Sequence, residues 1–385
     1  LLCRLLCKPV EELRFSPGCG LSPSDLVRIL KLAEGVKCIV IDGPDIDMHV
    51  MKALTENCTS VEHVELRSRN VFQPGVIQLL QARTGQLRHF ETHVHLGSDA
   101  DRKSALEHLR NAELVDLSLG FVDQRLELPA VKHLILKSTT FGPQFALASP
   151  QLESVHLSDC QFTLGGFRAF AGVASTLKLL HIEDSCRMNE DIDNDTWGTL
   201  FSALSTAEDV HIRCLPPSRF PPASALVVLA AASTLRRLSI CMRAGSSGSD
   251  PITLPSLAAL EEANLSGDAA SIQAVLTVAP HIRNLTLHTG RNGVTHLALA
   301  ALSDLTDLTL FGPQVTHADF RAALFRAPHL RHVRVHASSV PRLGRYKDEQ
   351  EEDDDDSGEH LHIHHQFQQQ ILLQQGGAPR GLDDM

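Results

Sequence analysis

The chain has 385 residues, 43% of them hydrophobic, and a formal net charge of −11. Leu, Ala and Val dominate the apolar set and there is one Trp and one Tyr, which suits a repeating interior better than an irregular globular one. From Lys347 onward there are eleven acidic and two basic residues. Residues 1–346 are therefore near balance, with 35 acidic against 33 basic, which speaks against a general nucleic-acid surface.

The opening Leu1-Leu2-Cys3-Arg4-Leu5-Leu6 lacks an initiator Met and the layout of a signal peptide, so the chain is expected to be a piece of a longer one. Behind it begins a hexad: an apolar residue, two variable ones, an apolar one, one variable and a last apolar one. The first positions are Val10, Val36, Val61, Leu87, Leu114, Val131, Leu152, Leu177, Ala207, Leu235, Leu260, Ile282, Leu305 and Leu330. VEHVEL (61–66), LESVHL (152–157) and LTDLTL (305–310) are representative copies. Positions four and six alternate with variable residues, so each hexad reads as a short strand with one face in a core.

Helical signals lie between the hexads. Ser22-Pro23 supplies a capping Ser and a Pro at the first helical position, followed by Leu26, Ile29 and Leu30 on one face. Further helices are expected near 47–57, 74–83, 99–110, 165–174, 196–204, 268–279, 293–302 and 317–326. Pro129, Pro150, Pro280 and Pro328 stand two positions before a hexad and stop the chain between helix and strand. The units at 131 and 152 are short, and a loop or single turn is expected there. Segments 214–223 and 243–256 read as loop insertions. Beyond 340, the acidic run 348–356 and the tract HLHIHHQFQQQ predict a disordered acidic, His/Gln-rich tail over 341–385.

A strand-and-helix unit cannot bury its apolar face alone and must stack on its neighbours. About fourteen such units over 1–340 resemble the leucine-rich-repeat superfamily of the ribonuclease-inhibitor-like kind. This implies an α/β solenoid with a concave parallel sheet and helices or loops on the convex side. The phrases SPQLESVHL (149–157), APHIRNLTL (279–287) and APHLRHVRV (327–335) also resemble the repeat region of fungal F-box proteins. That resemblance implies the substrate-recognition part of a ubiquitin ligase receptor, docked to a ligase adaptor by an F-box absent from this chain.

Hexad positions three and five and the residue after the hexad face away from the core. They define an expected protein-binding face containing His63, Glu65, Arg67, His89, Glu91, His93, Asp116, His133, His156, His181, Glu183, Asp209, His211, Arg213, Arg237, His332, Arg334 and His336. Ten of the 21 histidines fall on such positions, so two further readings are kept beside a plain repeat scaffold. His156, His181 and His211 share one hexad position in consecutive units, and a ladder of this kind suits a shared transition metal or a joint protonation below about pH 6.5. NEDIDND (189–195) lacks the Gly turn and final Glu of an EF-hand loop and reads as an acidic loop.

The nine cysteines are odd in number and unpaired in spacing, which points to a reducing compartment, cytoplasmic or nuclear. No apolar run approaches membrane-spanning length, and no membrane or specific nucleic-acid partner is expected. Phosphate-cradling loops, nucleophile elbows and His-Glu-x-x-His are absent, so neither an enzyme nor a resident cofactor or metal is expected.

Overall fold

The structure, a computed structural model, describes residues 10–68, 70–96, 98–183, 187–188, 194–213, 221, 229, 232–242, 254–289, 302–311 and 329–336. All of these belong to one compact unit within Leu1–Pro341. The expected tail, the helices near 293–302 (except Leu302) and 317–326, and most of the two loop insertions and the acidic loop lie outside the described residues.

Fourteen strands pair in chain order, all parallel. They are β1 (Glu12–Phe15), β2 (Cys38–Ile41), β3 (His63–Leu66), β4 (His89–His95), β5 (Leu114–Val122), β6 (His133–Phe141) and β7 (Ser154–Ser158), followed by β8 (Leu179–Glu183), β9 (Asp209–Ile212), β10 (Arg237–Cys241), β11 (Glu262–Gly267), β12 (Asn284–Thr289), β13 (Asp307–Phe311) and β14 (His332–His336). Hexad positions three to six form each strand, as the alternation predicts. Val64, Phe90, Leu134, Val155, Val210 and Leu285, all at position four, lie in one continuous apolar core.

One frame needs correction. His89 pairs with Leu114, and Leu114 with His133. Leu114 therefore stands at position three of a hexad that begins at Ala112, not at position one. Side chains repeat every two residues along a strand, so a two-residue shift returns every residue to its own face and the hydrophobic pattern alone does not separate the two frames. Asp116 stays on the polar face but moves to position five, beside Glu91.

Helices connect most strands: α1 (Pro23–Leu30), α2 (Met48–Asn57), α3 (Gln73–Ala82), α4 (Asp99–His108), α5 (Leu164–Val173), α6 (Asn194–Ala203) and α7 (Ala269–Val278). The expected cap at Ser22 is a full capping box, its side chain accepting from the Asp25 amide while Asp25 accepts from the Ser22 amide. α1 buries Leu26, Ile29 and Leu30. Between β5 and β7 the short units carry loops with turns at 129–130 and 143–144 and no helix, as expected, and a short extended stretch in each pairs in parallel, Arg125–Glu127 with Ala146–Ala148. Arg83 is buried where α2 ends. It donates to the carbonyls of Thr55 and Cys58, two of the acceptors a helix leaves without an internal partner.

Candidate functional site

Because every strand starts at the same hexad position, residues some 19 to 30 positions apart in sequence become neighbours on rungs across the sheet. Position three carries Glu12, Cys38, His63, His89, Leu114, His133, Ser154, Leu179, Asp209, Arg237, Glu262, Asn284, Asp307 and His332 in order. Position five carries Glu65, Glu91, Asp116, Ile135, His156, His181, His211, Ser239 and, further on, Arg334. All the residues expected on the binding face lie on or beside these rungs. They fall into three groups.

The first group spans β3 to β6. Arg67 sets Nε and Nη2 at 2.9 and 3.1 Å from the two oxygens of Glu91, a bidentate pair, and Nη2 also lies 2.7 Å from Glu65 Oε2. The other Glu65 oxygen, Oε1, is 2.6 Å from His63 Nε2 and 3.8 Å from His89 Nε2. The two imidazoles stack with centroids 3.7 Å apart and planes within 8°. Burial pushes the Glu65 carboxyl up, but the His63 hydrogen bond and the Arg67 charge outweigh it and the net shift is downward. Burial and the neighbouring His63 depress His89 to about 3, so it is neutral. His93 lies where the β4–β5 register shifts, and its Nε2 approaches Lys137 Nζ at 3.4 Å. Lys137 in turn pairs with Asp116 at 3.1 Å.

The second group spans β6 to β10. His156, His181 and His211 are in register as the hexads imply, with centroids 5.9 and 5.2 Å apart. Each ring faces a carboxylate. His156 Nε2 and His211 Nε2 lie 3.4 and 3.2 Å from opposite oxygens of Glu183, and His181 Nε2 lies 3.3 Å from Asp209. Arg237 reaches Asp209 at 3.1 Å, Arg213 donates to Ser239 at 2.7 Å, and His133 shares a hydrogen bond with Ser154 at 2.8 Å. Burial raises the Glu183 carboxyl, yet the hydrogen bond from His156 and the His211 imidazole bring it down to about 2. Burial and His181 depress His211 to about 3, and burial lowers His133.

In the third group, His288, Phe311 and His336 stack face to face across β12, β13 and β14. Their centroids are 4.6 and 4.5 Å apart and their planes lie within 9°. His332 pairs with Asp307 at 2.9 Å, and Arg334 is exposed.

Several of these residues sit deep although they lie on the polar face of the sheet. Glu91 and Asp116 are 0% exposed, and His133, His156, Glu183 and Asp209 are also buried. Charges held so far from water persist only when paired, which accounts for the dense ion pairing. Ser154 and Ser239 complete the second group, and their rung positions would have identified them. Among the described residues, the three potential metal ligands whose donor atoms all lie within 4.8 Å of one another are His63, Glu65 and His89. The His156–His181–His211 ladder is not such a set.

The sequence matches no protein-family model and no curated protein. The coordinates superpose on an internalin of Listeria monocytogenes with a TM-score of 0.51 at 12% identity, covering 86% of this chain and 92% of that one. The fold is a leucine-rich-repeat solenoid. Two further matches are the yeast Rad7–Elc1 complex (TM-score 0.44, 13% identity, 88% of this chain, 81% of that one) and a leucine-rich-repeat protein of Leptospira interrogans (0.38, 13%, 86%, 98%). At such identities the likeness concerns the fold alone. No helix among the described residues is long and apolar enough to cross a membrane.

Proposed function

We propose that this leucine-rich-repeat chain is a protein-binding module whose contact surface is the polar face of the sheet. The reading rests on the in-register rungs. Fourteen parallel strands hold acids, bases and imidazoles at fixed spacing on one face while their apolar face packs into the core. Ion pairs such as Arg67–Glu91 and Arg237–Asp209 fix side chains in advance, so little conformational entropy remains to be lost on contact. A rigid surface of mixed sign suits recognition of another protein's charge pattern better than exclusion of water around a reacting bond.

Cross-linking mass spectrometry on complexes captured from cells tests the reading. Cross-links should fall near Arg237, His332 and Arg334, and Arg237→Glu with Arg334→Glu should weaken capture at least tenfold. Arg28→Glu, on α1, should leave it unchanged. Contacts confined to the helices would overturn the proposal.

The finer role is substrate recognition for a ubiquitin ligase, supported by the phrases SPQLESVHL (149–157), APHIRNLTL (279–287) and APHLRHVRV (327–335). The gene's full-length product should then retain a ligase adaptor during purification. A full-length protein that binds partners without any adaptor would make the chain a leucine-rich-repeat scaffold unrelated to ubiquitination.

A further inference from the structure

The group on β3 and β4 carries a feature that binding by charge complementarity does not need. Two imidazole nitrogens and one carboxylate oxygen converge: Glu65 Oε1 lies 2.6 Å from His63 Nε2 and 3.8 Å from His89 Nε2. Donors about 2.0–2.2 Å from one tetrahedral metal stand about 3.4 Å from each other, a value these two separations bracket. The sheet supplies the convergence, since His63 and His89 are direct register partners and Glu65 is two residues along the same face.

The carboxylate is held from behind. Arg67 Nη2 lies 2.7 Å from Glu65 Oε2, leaving Oε1 turned to the histidines, and Arg67 is itself fixed by two contacts to Glu91. Outer contacts of this kind set the orientation of metal ligands. A second observation also points to a ligand. His89 Nε2 is buried and makes no hydrogen bond. Buried polar nitrogen atoms without a partner are rare and costly, and a metal ion would satisfy this one.

We propose that His63, Glu65 and His89 form a binding site for a divalent transition metal of the zinc class. Two imidazoles and one carboxylate are the donor set of zinc sites that keep a position open for water or an outside ligand. Parallel rings cannot both hold one metal in their planes, so binding turns His63 out of the stack. Its side chain is 24% exposed, against 14% for His89, and is the freer of the two to move.

The test must separate this site from the tail histidines. The full chain with His360, His362, His364 and His365 changed to Ala is dialysed free of metal and titrated with zinc chloride by calorimetry, then with cobalt chloride by visible absorption. One ion per chain is expected at micromolar affinity or tighter. His63→Gln and His89→Gln, made in that background, should each weaken binding at least tenfold and abolish the cobalt bands. His89 is largely buried, so His63→Gln is the deciding variant if His89→Gln fails to fold. Absence of stoichiometric binding in the tail-substituted chain, or binding indifferent to His63→Gln, would overturn the site.

Discussion

Arg67 holds two largely buried carboxylates at once, through two contacts to Glu91 and one to Glu65. Arg67→Met keeps much of the side chain's volume but leaves Glu91 without its bidentate partner. Breaking a buried pair costs about 3–5 kcal/mol, so the urea midpoint should fall by a corresponding amount. A change below about 1 kcal/mol would show the pair to behave like a surface salt bridge. The histidines act on stability through pH. His211, among His181, Glu183, Arg213 and Asp209, is depressed to about 3, and burial takes His288 to about 4. The unfolded chain takes up protons at these rings near pH 6.5, whereas the native chain resists until much lower pH. Their stabilisation is full above pH 6.5 and is lost as pH falls toward 3–4. Glu183, held at about 2, acts in the same direction, its share being lost below about pH 4.5. At pH 5 His211 alone costs about 2 kcal/mol relative to pH 7. Urea melts at pH 7 and 5 should show the loss, and His211→Asn should flatten part of it. A midpoint higher at pH 5 would refute the assignment.

Between elements, α2 and α3 approach closely at Gly75 in α3. A Cβ there would stand 2.5 Å from Met51 Cβ and 2.8 Å from its Cγ, so α2 and α3 meet where no side chain fits. Helix propensity favours Gly75→Ala by about 1 kcal/mol, but overpacking costs about 1–3 kcal/mol. The variant should therefore be destabilised on balance, and Met51→Ala should restore part of the loss in the double mutant. A thermal midpoint at or above wild type for Gly75→Ala alone would contradict the packing. The sequence announces that α3 exists, through Gln73-Pro74 and the spacing of Val76, Leu79 and Leu80. It says nothing of Met51, because contacts between units depend on the length of the intervening loop. The same limit explains Leu114. A pattern of period two reveals which face a residue takes, and only pairing with His89 and His133 reveals its rung. Strand faces, helix positions and the Ser22 cap were legible because each rests on local chemistry. Which acid meets which histidine was not, since a shift of one rung would pair Glu65 or Glu183 with other partners. His63 and His89 were both named from the hexads, yet their stacking and shared carboxylate emerge only from the register of two strands 26 residues apart.

Across the whole molecule, a leucine-rich-repeat solenoid couples each unit chiefly to its neighbours, so stability is spread along the chain rather than concentrated in one centre. The middle departs from uniformity. β5 and β6 are nine residues each, longer than the other strands, and Phe141 at the end of β6 packs against Phe145, Phe162 and Phe170 at 4.7, 4.7 and 5.1 Å. Phe162 contacts Phe167, which continues the cluster to Trp197 at 5.0 Å. These rings tie β6, α5 and α6 into a stretch where several units share one set of contacts. Phe141→Ala should cost about 3–5 kcal/mol by opening a cavity among them. Nearest-neighbour coupling makes a sharper prediction than the total. In native-state hydrogen exchange, amides of β6, β7 and α5 should lose protection strongly, while those of β1 to β3 keep wild-type rates. Equal loss from β1 through β9 would mean that the chain unfolds as a single cooperative body, and that the cluster is a keystone for all of it. Confinement of the loss to the units around the rings would leave the His63–Glu65–His89 group, carried on β3 and β4, stable independently of the phenylalanine cluster.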